Sequence, residues 1–173
     1  SFIGIATPSF WLGLMLIVIF SVRFKALGLP YLPVGGMFDH RVGSSVTQVL
    51  RHAILPSFTL SFVMTARYTR YVRSSMLEEI NLDYVRTARA KGISERLILL
   101  RHVLRNVLLP LITLIGVDIP FLLSGTIVIE SIFAWPGMGR LFWSAAQHID
   151  IPVLMALLLF VATLTVLSSL LSD

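Results

Sequence analysis

The chain has 173 residues, 56% of them hydrophobic and only 13% charged, with a mean hydropathy of +0.87 and a formal net charge of +5. An ordinary soluble domain carries about a quarter charged residues, so composition excludes that class as the default and points to a polytopic membrane protein. With no cysteine, a disulfide framework, a thiolate zinc site and a thiol nucleophile are all excluded within this chain.

Ser1 to Val22 carries no charge and is long enough to cross a hydrocarbon layer of about 30 Å, so it is expected to be a first membrane helix. Pro8 lies near its start, where proline bends or begins a helix. The stretch has neither the basic n-region nor the small-residue cleavage site of a signal peptide. Without an initiator Met, the chain is expected to continue N-terminally in a longer protein. Arg23 to Val46 is a connector in which Gly28, Pro30, Pro33 and the Gly35-Gly36 pair favour turns. Its few basic residues, Arg23, Lys25 and Arg41, place it outside the cell.

A second span is expected from about Thr47 to Arg73, although only Ala53 to Ala66 is free of charge and His. Arg67, Arg70 and Arg73 recur every third residue, on one side of a helix from which they can snorkel into cytoplasmic water, with Tyr68 and Tyr71 at the interface. A helix lying on the membrane surface is the alternative. Asn106 to Ile129 is the third expected span, with Asp118 its sole charge and Pro110, Gly116 and Pro120 predicting a kink. An acid at membrane depth is a functional candidate. Asp118 therefore either lines a translocation path or bonds a neighbouring helix.

Residues 130 to 152 are expected to form an outside loop, with a turn at Pro136-Gly137 and a short amphipathic helix from Met138 to His148. Trp135, Phe142 and Trp143 suit interfacial anchoring. Ile151 to Ser172 closes the chain as a fourth span. Nine of the fourteen Lys and Arg residues fall between Arg67 and Arg105. The positive-inside rule therefore makes the loop between the second and third spans cytoplasmic, and the same clustering argues against nucleic-acid binding.

That loop, about 81–105, organises the chain. Asn81 or Asp83 is expected to cap a helix of about ten residues that Gly92 ends in the left-handed conformation. Tyr84, Val85 and Ala88 share one side of it, while Arg86, Arg89 and Lys91 point elsewhere. Ser94 is expected to cap a second helix whose Leu97, Leu100 and Leu104 lead into the third span. So short a helix is marginal alone and needs something to pack against. The residues leave two partners open. Ala88 is small enough for the helix to enter a groove on another protein, or the basic face meets anionic lipid headgroups.

RTARAKG, Arg86 to Gly92, resembles the EAA loop of permease subunits of ATP-driven, binding-protein-dependent importers. The form is that of the oligopeptide, dipeptide and nickel branch. The motif's head falls on Arg86, Thr87 and Ala88; Ala88 and Gly92 match strictly, whereas Arg86 replaces the acidic head residue. Leu109-Pro110 comes five residues later than the general pattern has it, a spacing that resembles the peptide branch. IATPSFWLGLMLI, RHAILP, TARYTRYVRSSMLE, RHVLRNVLLPLIT and FAWPGMGRL extend the resemblance over nearly the whole chain.

The resemblance implies an all-α, type I ABC importer permease bundle over residues 1–173, in a bacterial or archaeal plasma membrane. It implies that a short coupling helix docks in a cleft of a cytoplasmic ATP-binding subunit, with Tyr84, Ala88 and Gly92 as coupling residues and Arg86 and Arg89 as polar contacts. A second permease subunit, an extracytoplasmic substrate-binding protein and lipid are the other implied partners, and no cofactor is implied. Peptides are the implied cargo, with nickel or another small solute as the alternative.

An intramembrane enzyme would need a nucleophile with its base, or paired metal ligands. His40, His52, His102 and His148 lack metal-like spacing, and no His-Glu-x-x-His, Gly-x-Ser-x-Gly or phosphate-binding loop occurs. ATP hydrolysis is accordingly expected on a separate chain. A channel would need polar rings along several helices, and an exporter would need no external binding protein.

Overall fold

The computed structural model describes residues 7–39 and 43–172, which places His40 and Arg41 outside the described residues. Described secondary structure is entirely helical. In chain order the helices are α1 (Ser9–Ala26), α2 (Val46–Glu79), α3 (Asp83–Ala90), α4 (Glu95–Leu123), α5 (Ile127–Ile132), α6 (Met138–Gln147) and α7 (Ile151–Ser172). Helices α1, α2, α4 and α7 are long and apolar enough to cross a membrane.

Their bounds differ from the sequence expectations in instructive ways. Helix α1 begins at Ser9, with Pro8 extended just before it, and runs past Val22 through a π-helical stretch, Ile17–Arg23. Helix α2 continues beyond Arg73 to Glu79, because no breaker interrupts it and the charged residues there need only reach water. At 34 residues it is about 50 Å long at 1.5 Å per residue, so one end projects well beyond a hydrocarbon layer of about 30 Å. Helix α4 begins not at Asn106 but at Glu95, and stops at Leu123 rather than Ile129. Ser124 and Gly125 turn the chain there into the separate short helix α5.

Of Leu97, Leu100 and Leu104, which follow helical spacing into the third span, the first two are exposed and the third is half-buried, whereas Ile98, Val103 and Val107 are buried. The cause is the π-helical stretch Ile98–Val103. Its wider turn delays the inward face by a residue, so a count at regular α spacing picks the wrong side chains.

Helices α2 and α4 run antiparallel, pairing Glu79 with Asn106 and Arg67 with Asp118. Helix α1 packs on α2 and α5, and α7 lies along α4. Pro120 lacks the N–H that would bond the Gly116 carbonyl one turn back. The Ser168 hydroxyl of α7 donates to that freed carbonyl, so the proline creates the acceptor that ties α7 to α4. In lipid, where apolar surface offers little drive to associate, bonds and close packing of this kind hold helices together.

Two apolar cores occupy opposite ends of the bundle. One joins Leu16, Ile17, Leu55, Ile129 and Phe133 from α1, α2 and the α5 segment. The other joins Val85, Ala88, Ile98, Val103 and Val107, with Val72, Met76 and Ile80 against them. The second core roots the basic loop in the bundle.

Candidate functional site

Helix α3 starts without a side-chain cap. Leu82 is its N-cap residue, and its carbonyl accepts from the Val85 and Arg86 N–H groups. The expected caps are used otherwise: the Asn81 side-chain amide donates back to the Leu77 carbonyl, and Asp83 lies in the first turn, 3.5 Å from Arg86. Ser94 is the N-cap residue of α4, contributing its carbonyl rather than its hydroxyl.

The other end of α3 closes as anticipated. Gly92 has φ +76°, its N–H donates to the Arg89 carbonyl, and the Ile93 N–H donates to the Ala88 carbonyl. This is the paired-bond helix end that needs a left-handed residue and sets the following apolar side chain against the last turn. Ile93 accordingly packs on the core containing Ala88.

Tyr84, Val85 and Ala88 do share one side, and it faces inward. Val85 is fully buried and Ala88 is 8% exposed. Ala88, whose small size suggested that the helix could enter a groove on another protein, turns into this chain's own core, where it packs with Ile98 and Val103. The Tyr84 hydroxyl donates to Glu79 at 2.5 Å. Burial first, and this bond second, push the phenol above its ordinary pKa, so it remains a donor at neutral pH. Arg89 is also engaged within the chain: Nε donates to Glu95 at 3.0 Å and a terminal nitrogen at 2.6 Å, a two-pronged bond across the Gly92 turn.

Arg86 points outward, its side chain 72% exposed. Its 3.5 Å contact with a still more exposed Asp83 contributes little. Leu82, Asp83, Arg86, Thr87, Ala90 and Lys91 recur at helical spacing and form the exposed face of α3.

Asp118 sits elsewhere, 6% exposed and between helices. One carboxylate oxygen accepts from Arg67 at 3.0 Å and the other from the Tyr68 hydroxyl at 2.8 Å. The structure thus brings Asp118 to a neighbouring helix. Arg67 keeps nearly half its side chain exposed, which tempers the pair. Asp118→Ala should lower stability by about 1.5–3 kcal/mol, the range for hydrogen bonds to a charged group. Thermal unfolding in detergent reads the loss, and it should shrink when Arg67 and Tyr68 are already replaced.

Three acidic residues escaped sequence reasoning. Glu79 and Glu95 hold α3, and their signal was an acid five or six residues from Tyr84 or Arg89. Glu130 is 8% exposed, and its two oxygens accept from the Thr126 N–H at 3.0 Å and the Arg140 N–H at 2.7 Å. It thereby knots the turn after α4 to the start of α6. Among the described residues no three His, Asp or Glu side chains are grouped as a metal site requires.

The model of the binding-protein-dependent transport system inner membrane component matches residues 1–173. The chain belongs to that family. Its relatives include the oligopeptide transport system permease protein AppB of Bacillus subtilis, 45% identical over 173 residues, covering 100% of this chain and 53% of the relative. A putative peptide permease protein of Brucella ovis is 43% identical over 171 residues, 99% of this chain and 52% of the relative. The glutathione transport system permease protein GsiC of Escherichia coli K12 is 41% identical over 170 residues, 98% of this chain and 51% of the relative. The chain thus spans about half the length of these relatives. Family membership and four apolar spans make it part of a multi-pass membrane permease.

Proposed function

We propose that the chain forms the translocation bundle of an ATP-driven, binding-protein-dependent peptide importer and that α3 is the helix through which cytoplasmic ATP-binding subunits act on it. The observation that carries this reading is the construction of α3. It projects from the spans, is anchored on its inner side by Val85 and Ala88, and presents a continuous exposed face with Arg86 and Lys91. A lipid-adsorbed helix would turn Val85 and Ala88 toward acyl chains; here they are used up inside the chain.

On this reading the loop containing α3 is cytoplasmic, and residues 124–150 face the opposite side, where a substrate-binding protein delivers cargo. A second permease subunit completes the path, with α7, none of whose described side chains is buried, free to meet it or lipid. ATP binding and hydrolysis take place on the partner subunits, so this chain needs no catalytic group. It needs two arrangements of its helices that the nucleotide state can favour in turn. The names of the relatives favour peptides over nickel as cargo.

On this reading Arg86 and Lys91, which lie on the exposed face, make the docking contacts, and Tyr84, Ala88 and Arg89 act through the shape of the knob. Reversing both charges, Arg86→Glu with Lys91→Glu, should weaken recovery of the ATP-binding subunits about tenfold or more, chiefly at low salt, with unfolding temperature unchanged. Co-purification of the full-length protein from its own cells, followed by mass spectrometry, measures it. Undiminished recovery would remove α3 as the dock, and a parent protein that brings down no ATP-binding subunit would sink the importer reading.

A further inference from the structure

Glu79 ends α2, and its carboxylate is where three helices meet. One oxygen accepts the Tyr84 hydroxyl of α3 at 2.5 Å and the Asn106 side-chain amide of α4 at 3.4 Å. Both donors come from outside its own helix. Among the described residues, no side-chain hydrogen bond besides these two joins α2 to α3, or α2 to α4 at this end of the bundle.

The remaining attachments of α3 are of other kinds. The apolar contacts of Val85 and Ala88 are non-directional and tolerate sliding. The Arg89–Glu95 bond is directional but exposed, and links α3 to α4 alone. The Gly92 turn is closed by the Gly92 N–H to Arg89 carbonyl and Ile93 N–H to Ala88 carbonyl bonds, neither of which reaches α2. Without Glu79, only the non-directional apolar contacts would carry a push on α3 to α2.

We propose that Glu79 is a positioning residue that binds α3 and the adjoining ends of α2 and α4 into one body, so that displacement of α3 moves both spans together. The proposal rests on the coupling role assigned to α3 above. Glu79 touches neither cargo nor nucleotide; it acts through Tyr84 and Asn106. A charged acceptor suits the task because hydrogen bonds to an ionised group are shorter and stronger than neutral ones.

The test has two arms on the full-length protein, with spin labels at exposed positions 90 on α3 and 70 on α2. In the first, the permease is in detergent without nucleotide or partners. Glu79→Ala should raise the population with a displaced α3 about tenfold, the ratio carried by one hydrogen bond to a charged group. Tyr84→Phe should do so in part, and Glu79→Gln, which keeps an acceptor oxygen, should restore much of the parent distribution. In the second arm, the complex with its ATP-binding subunits is trapped with ATP and vanadate. The parent should keep the same label distance as without nucleotide, while Glu79→Ala, with those subunits still bound, should not.

A parent-like distance distribution in Glu79→Ala in both arms would overturn the proposal. Where Glu79→Ala fails to fold, Tyr84→Phe, which loses a single hydroxyl, decides the same question, and a parent-like distribution in it would also count against Glu79. A parent protein that binds no ATP-binding subunit would overturn the coupling role instead, while the first arm still reports on Glu79.

Discussion

Replacing Gly125 with alanine is expected to open the loop that follows α4. Gly125 has φ +91°, a left-handed conformation that an L side chain resists, and a Cβ there would lie 2.3 Å from the backbone nitrogen of Gly139 and 2.4 Å from the Glu130 carboxylate. The nitrogen belongs to α6 and cannot swing aside as the end of a flexible side chain would. Either the turn at 124–126 or the start of α6 must move, and each is held by a Glu130 hydrogen bond. Overpacking and left-handed strain together should cost about 3 kcal/mol. The full-length variant should unfold at lower temperature in detergent and be cut faster by protease between residues 124 and 140, with the α2–α3–α4 end unaltered. Parent-like cleavage would mean that the close approach is not maintained in the membrane.

The second large effect is expected from Val85→Asp. Val85 is fully buried among Ala88, Ile98, Val103 and Val107, where a carboxylate would find no cationic partner. An uncompensated buried charge costs about 3–5 kcal/mol, more than a single helix of eight residues retains from its own hydrogen bonds. Helix α3 should therefore leave the bundle while the four spans remain inserted. Trypsin should then cut at Arg86, Arg89 and Lys91 far more readily in the full-length protein, and the ATP-binding subunits should be lost from it on purification. If cleavage at these sites stayed at the parent level, the apolar core would not be what holds α3. The contrast with Arg86→Glu and Lys91→Glu is informative: the core variant loses the knob, whereas the charge variant keeps the knob and loses the partner.

These expectations depend on distinctions that only part of the sequence could convey. That α3 exists, ends at Gly92 and carries Tyr84, Val85 and Ala88 on one side was legible, because glycine punctuation and helical spacing are local properties. Which way that side faces was not. Both an inward and an outward Ala88 satisfy the spacing, and the choice depends on Ile98 and Val103, which a π-helical stretch brings into line. For the same reason the count through Leu97, Leu100 and Leu104 selected two exposed residues and one half-buried one.

The acids divide in a similar way. Asp118 stood out because a charge inside an apolar stretch is conspicuous, but its partners Arg67 and Tyr68 lie some fifty residues away and could be named only once α2 and α4 were set antiparallel in register. Glu79 and Glu95 sit among other polar residues, and Glu130, which the sequence puts at the start of an outside loop, lies in α5; each is unremarkable until its acceptor bonds are seen.

By itself, then, the sequence determined the membrane class, the four spans and the family, because hydropathy over about twenty residues and a short motif with its glycine are read along one dimension. Tertiary structure alone decided that Ala88 is a packing residue, that Arg86 and Lys91 belong to the outward face, and that Glu79 and Glu130 tie segments together at opposite ends of the bundle. The physical reason is that burial and hydrogen-bond partnership are properties of pairs. Where the members are distant in the chain, or where a π-helical turn shifts the helical phase between them, spacing along the sequence does not specify which residues meet.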